Sequence, residues 1–349
     1  MYRLSTRTIV NFVLALIWFV CAFIDIHTEA RYASVIYKFF ASAVFTIIGI
    51  YCLLIDFGKI KPMPKKKEKW IAIIFIAVII VVAFVIMGNY SVVTNKFNIK
   101  SEKIPESFDD FRIVQVSDLH NAKFDKYNST ILEPVFNAKP DIIVITGDLI
   151  DSRRTNINRA VHLADRLVKI APTYYVNGNH EARLSDSEYN HLTTRLEQAG
   201  VTILENDSVD ITIENETITL IGINDSSFGM EEYVDDTMVQ NVSNQLMSIL
   251  PDNDNYKVLL AHKPHYFDAY ANQVDLVLSG HVHGGQFRIP FVGGLVAPGQ
   301  GFFPEYYEGS YIKDNTEMIV SRGIGNSIIP FRINNKPEIV VAEFTKIED

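Results

Sequence analysis

Three apolar runs occupy the first ninety residues of the chain, at residues 9–24, 33–55 and 71–88. A helix needs roughly 18 or more apolar residues to cross a bilayer. The first run is marginal and contains Asn11; the second contains Lys38, whose side chain can extend to the interface. The third run has no charge and no polar face, which disfavours a buried core helix. No small-residue cleavage site follows the first run, which disfavours a signal peptide. The pattern predicts about three transmembrane helices.

The pattern changes after residue 103 to short β-branched runs that each end in a polar turn. These runs are residues 112–116, 142–146, 173–176, 219–223, 257–261 and 276–279. Continuous apolar runs of this length are typical of strands buried on both faces. Helix-compatible stretches separate several of them, for example residues 158–169 and 185–198. The pattern therefore predicts an α/β fold with central sheets and outer helices.

Three regions follow from these patterns. Residues 1–90 are predicted as the membrane region and residues 104–349 as one α/β domain. Residues 91–103 are polar with scattered lysines, which predicts a short tether between the two. Both cysteines lie in the first region, so the α/β domain cannot form an internal disulfide.

Charge is distributed unevenly between these regions. Residues 1–103 carry a net charge of +8 and the remaining residues −17, although the whole chain carries −9. Six lysines lie between the second and third apolar runs, at positions 59, 61, 65, 66, 67 and 69. Because positive loops are retained in the cytoplasm, the α/β domain is predicted on the outer face of the membrane. The same lysines could instead bind anionic lipid headgroups on that inner face. A domain this acidic is not expected to bind nucleic acid.

Five polar turns follow the predicted strands and carry the candidate chemistry. They are Ser117-Asp118-Leu119-His120, Gly147-Asp148, Gly178-Asn179-His180-Glu181, Ala261-His262 and Gly280-His281-Val282-His283. Any one of them alone is more typical of an ordinary turn, but ligands gather at the carboxyl ends of strands in open α/β sheets. Mixed carboxylate and imidazole donors suit manganese, zinc or iron. The turns offer two aspartates, one asparagine and five histidines, and one histidine is expected to stay free of metal to donate a proton. The seven remaining ligands are more than one catalytic metal takes from protein and suit two ions that share a carboxylate.

The blocks DLH, GDLID, GNHE, AHKPH and GHVHGG, in this order, closely resemble the calcineurin-like metallophosphoesterases. The later segments APGQG and SRGIGNSIIP are similar to the bacterial membrane-tethered branch of that family. The resemblance spans nearly all of residues 111–344 and implies a four-layer αββα sandwich. Ser152 is a departure, because protein Ser/Thr phosphatases of this superfamily have Arg at that position. A phosphoprotein substrate is therefore not favoured.

The resemblance also implies a role for each site residue. The first metal would be held by Asp118, His120 and His283. The second would be held by Asn179, His262 and His281, with Asp148 bridging both ions. His180 would act as general acid or stabilise the phosphorane, oriented by Glu181.

These features together predict a two-metal hydrolase of phosphomonoesters or phosphodiesters at the outer face of the cytoplasmic membrane. Tethering favours substrates that reside there, such as lipid-linked or cell-wall phosphates. The alternatives are a membrane-anchored nucleotide or cyclic-nucleotide phosphodiesterase and a non-catalytic, metal-stabilised binding module. A group of aromatic residues near the C-terminus is predicted either to pack in the core or to form an apolar lip facing a bilayer or an acyl chain. It comprises Phe287, Phe291, Phe302, Phe303, Tyr306 and Tyr307.

Overall fold

The structure is a computed structural model and describes residues 4–27, 32–126, 128–225, 235–327, 329 and 331–348. The predicted orientation also counts Arg3 as cytoplasmic and the loop between the first two apolar runs as net acidic; Arg3 and residues 28–31 of that loop lie outside this range. Two compact units are present. The helical unit contains residues 1–90 with 123–130, and the sandwich unit contains residues 91–122 with 131–349.

The helical unit has three helices, α1 (Thr6–His27), α2 (Tyr32–Asp56) and α3 (Lys65–Tyr90). Helices α1 and α2 are antiparallel, and Asp56 Oδ2 accepts hydrogen bonds from Ser5 N (2.8 Å) and Thr8 Oγ1 (2.6 Å). These bonds satisfy donors at the start of α1 that have no partner within the helix. By length and composition, two helical segments among the described residues can cross a membrane, Lys38–Asp56 and Lys69–Tyr90. The apolar part of α1, Thr6–Ala22, is shorter, in line with the marginal first run.

The sandwich unit contains sixteen strands, five α-helices and four short 3-10 helices in the described residues. The strands are β1 (Val93–Ser101), β2 (Arg112–Val116), β3 (Ile142–Thr146), β4 (Thr173–Val176), β5 (Val201–Ile203), β6 (Asp207–Ile213), β7 (Glu216–Gly222), β8 (Tyr256–Leu260), β9 (Leu276–Ser279), β10 (Arg288–Ile289), β11 (Gly293–Gly294), β12 (Val296–Ala297), β13 (Gly301–Phe302), β14 (Gly309–Lys313), β15 (Thr316–Val320) and β16 (Glu338–Lys346). The helices are α4 (Ser129–Asn137), α5 (Ile157–Leu167), α6 (Asp186–Gln198), α7 (Asp236–Ile249) and α8 (Phe267–Tyr270).

Two six-stranded sheets form the centre of the unit, in the orders β1-β16-β2-β3-β4-β5 and β14-β15-β9-β8-β7-β6. Their facing sides meet in one buried apolar cluster that includes Ile113, Val144 and Val176 from the first sheet and Leu220 and Val258 from the second. Helices α4, α5 and α6 each connect neighbouring parallel strands of the first sheet. Such crossovers are right-handed and therefore lie on one face. Helices α7 and α8 pack on the outer face of the second sheet. The predicted four-layer sandwich is confirmed.

The segment predicted as a tether, residues 91–103, lies largely in the first sheet. Strand β1 pairs in parallel with β16 over nine positions, from Val93↔Glu338 to Ser101↔Lys346. An edge strand with one exposed face alternates polar and apolar residues, so its sequence can be mistaken for that of a polar linker. On its inward face, Ile99 is buried in the core between the sheets and Phe97 packs against that core. Two residues, 91 and 92, therefore separate α3 from the sandwich.

Candidate metal centre

The carboxyl ends of five parallel strands bring the predicted site residues together. Strands β2, β3 and β4 of the first sheet and β8 and β9 of the second each end at one of the five polar turns. All of these side chains are buried at a single place where the edges of the two sheets meet. The members of the cluster are Asp118, His120, Asp148, Asn179, His180, His262, His281 and His283.

Three residues form the first half of the cluster. The Nε2 atoms of His120 and His283 lie 3.0 Å apart, and each is 3.8 Å from Asp118 Oδ1. Two imidazole nitrogens at this distance point at one small region with a carboxylate beside it. This is the arrangement that a shared divalent cation would stabilise.

The second half is centred on His262. Its Nε2 atom lies 3.2 Å from Asp148 Oδ2, 3.2 Å from Asn179 Oδ1 and 3.2 Å from His281 Nδ1. Asp148 Oδ2 is also 3.5 Å from His120 Nε2, so this carboxylate lies between the two halves. The ligand atoms of Asp148, His120 and His180 form a further group within 4.8 Å of one another.

Burial sets the protonation of these groups. It lowers the pKa of His120 to about 3 and holds the pKa values of His281 and His283 well below the ordinary value. Each of these rings is therefore neutral near pH 7, with a lone pair on one of its two nitrogens. Burial also raises the pKa of Asp118 to about 6. For His262, burial lowers the pKa, but Asp148 and Asp118 together raise it to about 10. A cation at Nε2 would displace the proton that His262 carries without a metal. The donor set of imidazoles, carboxylates and one amide then fits a pair of divalent cations.

Backbone strain concentrates at the same residues. Asp118, His120, Asp148, His281 and His283 have φ values of 52°, 46°, 53°, 73° and 48°. This left-handed conformation is uncommon for residues other than glycine and costs on the order of 1–3 kcal/mol each. Strain of this kind persists where surrounding contacts over-determine the conformation, as at ligand sites.

Two glycines allow the turns to approach one another. A Cβ atom at Gly178 would collide with Oδ1 of Asp148, and one at Gly280 would collide with Ser117 Oγ and Asp118 Oδ2. Gly178 and Gly280 begin the third and fifth polar turns, so the carboxylates fit against bare backbone. Any larger residue would displace a candidate ligand.

The Glu181 carboxylate binds backbone N–H groups of two polar turns. In the part of the chain that the structure describes, its carboxylate accepts hydrogen bonds from Asp148 N (2.8 Å), Gly178 N (2.9 Å) and Ile150 N (3.0 Å). The side chain is fully buried, and burial raises its pKa to about 7. Glu181 thereby ties the second polar turn to the third.

The His180 ring contacts the segment after Asp148. Its Nδ1 atom accepts a hydrogen bond from Ser152 N (3.0 Å) and lies 3.5 Å from Asp151 Oδ1. Since Nδ1 is an acceptor, the proton of the neutral ring resides on Nε2, which lies 3.2 Å from Ser327 Oγ. Burial lowers the pKa of His180, so the neutral ring is favoured. Ser152, which departs from the pattern of the protein phosphatases, therefore has a defined contact in this site.

Arg332 is a further site residue that the sequence patterns do not reveal. It is 1% exposed, and its guanidinium contacts His283 Nδ1 (3.1 Å) and donates to Arg322 O (2.6 Å), Asn326 Oδ1 (3.0 Å) and Gly325 O. Burial lowers its pKa to about 10, which still leaves it charged near neutral pH. No strand or spacing rule connects Arg332 to His283, 49 residues earlier.

Two packed sheets with a cluster of buried histidines and aspartates at their edge define a metal-dependent phosphoesterase. The calcineurin-like phosphoesterase family model matches residues 111–285, about half of the chain. The chain belongs to this family. Its members are dimetal-dependent, and the clustered residues here can hold metal.

Several curated proteins are similar to the chain. An uncharacterized metallophosphoesterase of Bacillus subtilis, YkuE, is 32% identical over 71% of this chain and 84% of its own length. The phosphodiesterase YaeI of Escherichia coli is 29% identical over 67% and 82%. A transmembrane protein with metallophosphoesterase domain of Danio rerio is 28% identical over 95% and 79%. The family and the enzyme class predicted from the polar turns are thereby confirmed.

Proposed function

We propose that the chain hydrolyses phosphomonoesters or phosphodiesters with two divalent cations at the outer face of the cytoplasmic membrane. Manganese, zinc and iron are the candidate metals. The substrates we propose are lipid-linked or cell-wall phosphates, because these reside where a membrane-held enzyme meets them. The observation that carries the proposal is the 3.0 Å approach of the His120 and His283 Nε2 atoms beside Asp118 and Asp148.

Each residue of the cluster has a proposed role. Asp118, His120 and His283 would hold one cation, and Asn179, His262 and His281 would hold the other. Asp148 would contact both, which its position between the two halves supports. When bound, such a pair lowers the pKa of a bound water and neutralises phosphoryl oxygens.

His180 is proposed to protonate the leaving oxygen or to stabilise the charge that develops on it. The hydrogen bond from Ser152 N to Nδ1 keeps the ring proton on Nε2 and fixes the ring plane. The Ser327 hydroxyl, 3.2 Å from Nε2, would give way to the substrate oxygen. Glu181 is proposed to support catalysis indirectly, by fixing the turns that carry Asp148 and Asn179.

Membrane placement is the second part of the proposal. The segments Lys38–Asp56 and Lys69–Tyr90 are long and apolar enough to span. The lysines between them would remain in the cytoplasm, which directs the sandwich unit outward. The Danio rerio relative, described as a transmembrane protein, covers almost the whole chain.

The test compares His180→Ala with His191→Ala, which removes an exposed histidine on α6. With an aryl phosphodiester, His180→Ala should lower kcat by about 100-fold or more. His191→Ala should match the wild type, and elemental analysis should find about two metals per chain in all three proteins. A wild type that binds both metals but hydrolyses no phosphate ester would favour a metal-stabilised binding module.

The same preparation distinguishes the two enzyme functions. The E. coli relative is named a phosphodiesterase, which supports testing a nucleotide substrate in parallel. Faster hydrolysis of a lipid-linked phosphate than of a cyclic nucleotide supports the membrane substrate. The reverse order would favour a membrane-anchored nucleotide phosphodiesterase.

A further inference from the structure

Exposed apolar side chains lie on three segments connected to the candidate metal centre, and we name six of them the apolar rim. They are Phe291, Val292, Phe302, Phe303, Phe331 and Ile333. Soluble proteins seldom expose clustered large apolar side chains, and such patches mark sites of interaction with proteins or membranes. Phe287, Tyr306 and Tyr307, grouped with them in the sequence, are partly buried instead.

Hydrogen bonds join the three segments into one surface. Leu295 N donates to Phe287 O (2.8 Å), and Phe303 N donates to Leu295 O (2.9 Å). Arg288 N donates to Ile333 O (3.0 Å), which attaches the segment that carries Phe331. The rim is therefore one structural feature built from the β10–β11 and β12–β13 hairpins and residues 331–333.

The rim is attached directly to a candidate metal ligand. Asn335 Nδ2 donates to the backbone oxygens of His283 (2.7 Å) and Gln286 (3.2 Å). Gln286 Nε2 in turn donates to Ile329 O (3.1 Å) and Phe331 O (2.6 Å). The turn that carries His283 thus continues into the rim.

Backbone conformation holds two of the phenyl groups outward. Phe291 and Phe303 have φ values of 68° and 55°. A bulky residue rarely adopts this conformation, which is unfavourable without compensation. Phe303 is 63% exposed, and Phe291 is fully exposed. Strained phenylalanines directed into water indicate a surface that is normally covered.

A lipid bilayer is the occupant that the chain connectivity favours. Two residues separate α3 from β1, and two residues span at most about 7 Å. If α3 crosses the membrane, as the proposed function holds, the sandwich unit stays at the bilayer surface. Lys336, exposed three residues after Ile333, would meet anionic headgroups beside the rim.

The geometry points to insertion of the apolar rim into the outer leaflet, which would present the metal centre to phosphate esters in the headgroup region. This inference rests on the membrane placement of the proposed function. It identifies the substrate class as phosphate esters carried by lipids, reached at the membrane surface. Phenyl groups in an interfacial surface typically insert about 5–10 Å, to the boundary between headgroups and acyl chains.

Tryptophan fluorescence tests the insertion independently of catalysis. The two native tryptophans, Trp18 and Trp70, lie in α1 and α3 and are replaced by phenylalanine in the full chain. A single tryptophan is then introduced as Phe291→Trp. The matched control is Ile312→Trp, which is 75% exposed on β14. Ile312 pairs with Glu317 near the start of β15, at the end of the sheet away from the metal centre.

Both proteins are reconstituted into phosphatidylethanolamine–phosphatidylglycerol vesicles whose acyl chains are brominated near the headgroup. Phe291→Trp should lose about half of its emission or more, since an interfacial side chain reaches that depth. Ile312→Trp should lose little. Equal, weak quenching of both proteins would overturn the inference. It would also be overturned if the Phe291→Trp emission were not quenched and shifted only with protein concentration, because the rim would then be covered by a second copy of the chain.

A parallel measurement keeps this inference separate from the proposed function. The Phe291→Ser/Phe302→Ser/Phe303→Ser variant and the parent are assayed with a soluble aryl phosphodiester and with a lipid-borne phosphate ester. If the variant hydrolyses the lipid-borne ester about tenfold more slowly than the parent but hydrolyses the soluble ester at the same rate, the rim is the route to membrane substrates. Equal rates on the lipid-borne ester would refute it. Strong quenching without hydrolysis of either substrate would refute the proposed function and leave the insertion standing.

Discussion

Replacing Glu181 by glutamine removes one acceptor from the carboxylate that joins two polar turns of the metal centre. An amide keeps one oxygen, which can still face Asp148 N and Gly178 N, and its NH₂ group then faces Ile150 N. The hydrogen bond from Ile150 N to the carboxylate is lost, and the Ile150 N–H and the new amide N–H face each other without an acceptor, a cost of about 2–5 kcal/mol. This is a large part of the roughly 5–15 kcal/mol that stabilises a typical domain.

Thermal unfolding and metal content report the effect of Glu181→Gln. We expect a Tm lower by about 5–15 °C, given roughly 2–4 °C per kcal/mol for a domain of this size. Metal affinity should fall as well, because the hydrogen bond from Ile150 N that helps to fix the turn after Asp148 is lost. The control is Glu197→Gln, an exposed site on α6 where the change should stay within about 0.5 kcal/mol.

One result would refute this reasoning. If Glu181→Gln unfolds at the wild-type temperature and keeps both metals but loses kcat, Glu181 acts on His180 and not on the backbone. That result would support the orienting role that the family resemblance implies.

Two further predictions concern the metals and Arg332. Removing the metals with a chelator should lower Tm. Adding Mn²⁺ or Zn²⁺ at about 100 times its Kd should raise the free energy of unfolding by about 2.7 kcal/mol, as measured by calorimetry. An unchanged Tm would contradict a buried metal pair. Arg332→Met leaves Arg322 O and Gly325 O without their buried donor and should destabilise the fold by about 3–5 kcal/mol. Arg332→Met should also weaken metal binding in a titration. Arg332→Lys should not restore that binding, because lysine lacks the planar guanidinium with its several N–H donors. Full recovery with lysine would show that the charge alone suffices.

The sequence alone was sufficient to predict the enzyme class and the residues that cluster. Asp118, Asp148 and His262 each follow an apolar strand pattern, and parallel strands deliver their carboxyl ends to one edge. Convergence of the five polar turns therefore follows from local patterns and the connectivity of an α/β sheet. The four-layer architecture followed in turn from the family resemblance of those turns.

Tertiary structure decided what lies around the cluster. Three contacts join residues that are 28 or more positions apart: Asp148 N with Glu181, Ser152 N with His180, and Arg332 with His283. No periodicity encodes such pairings, because they depend on how loops fold over the strand ends. The segment at residues 93–101 became a strand for the same reason, since its partner β16 lies more than 200 residues away. Local patterns determine which residues reach the sheet edge, and long-range packing determines what each one contacts there.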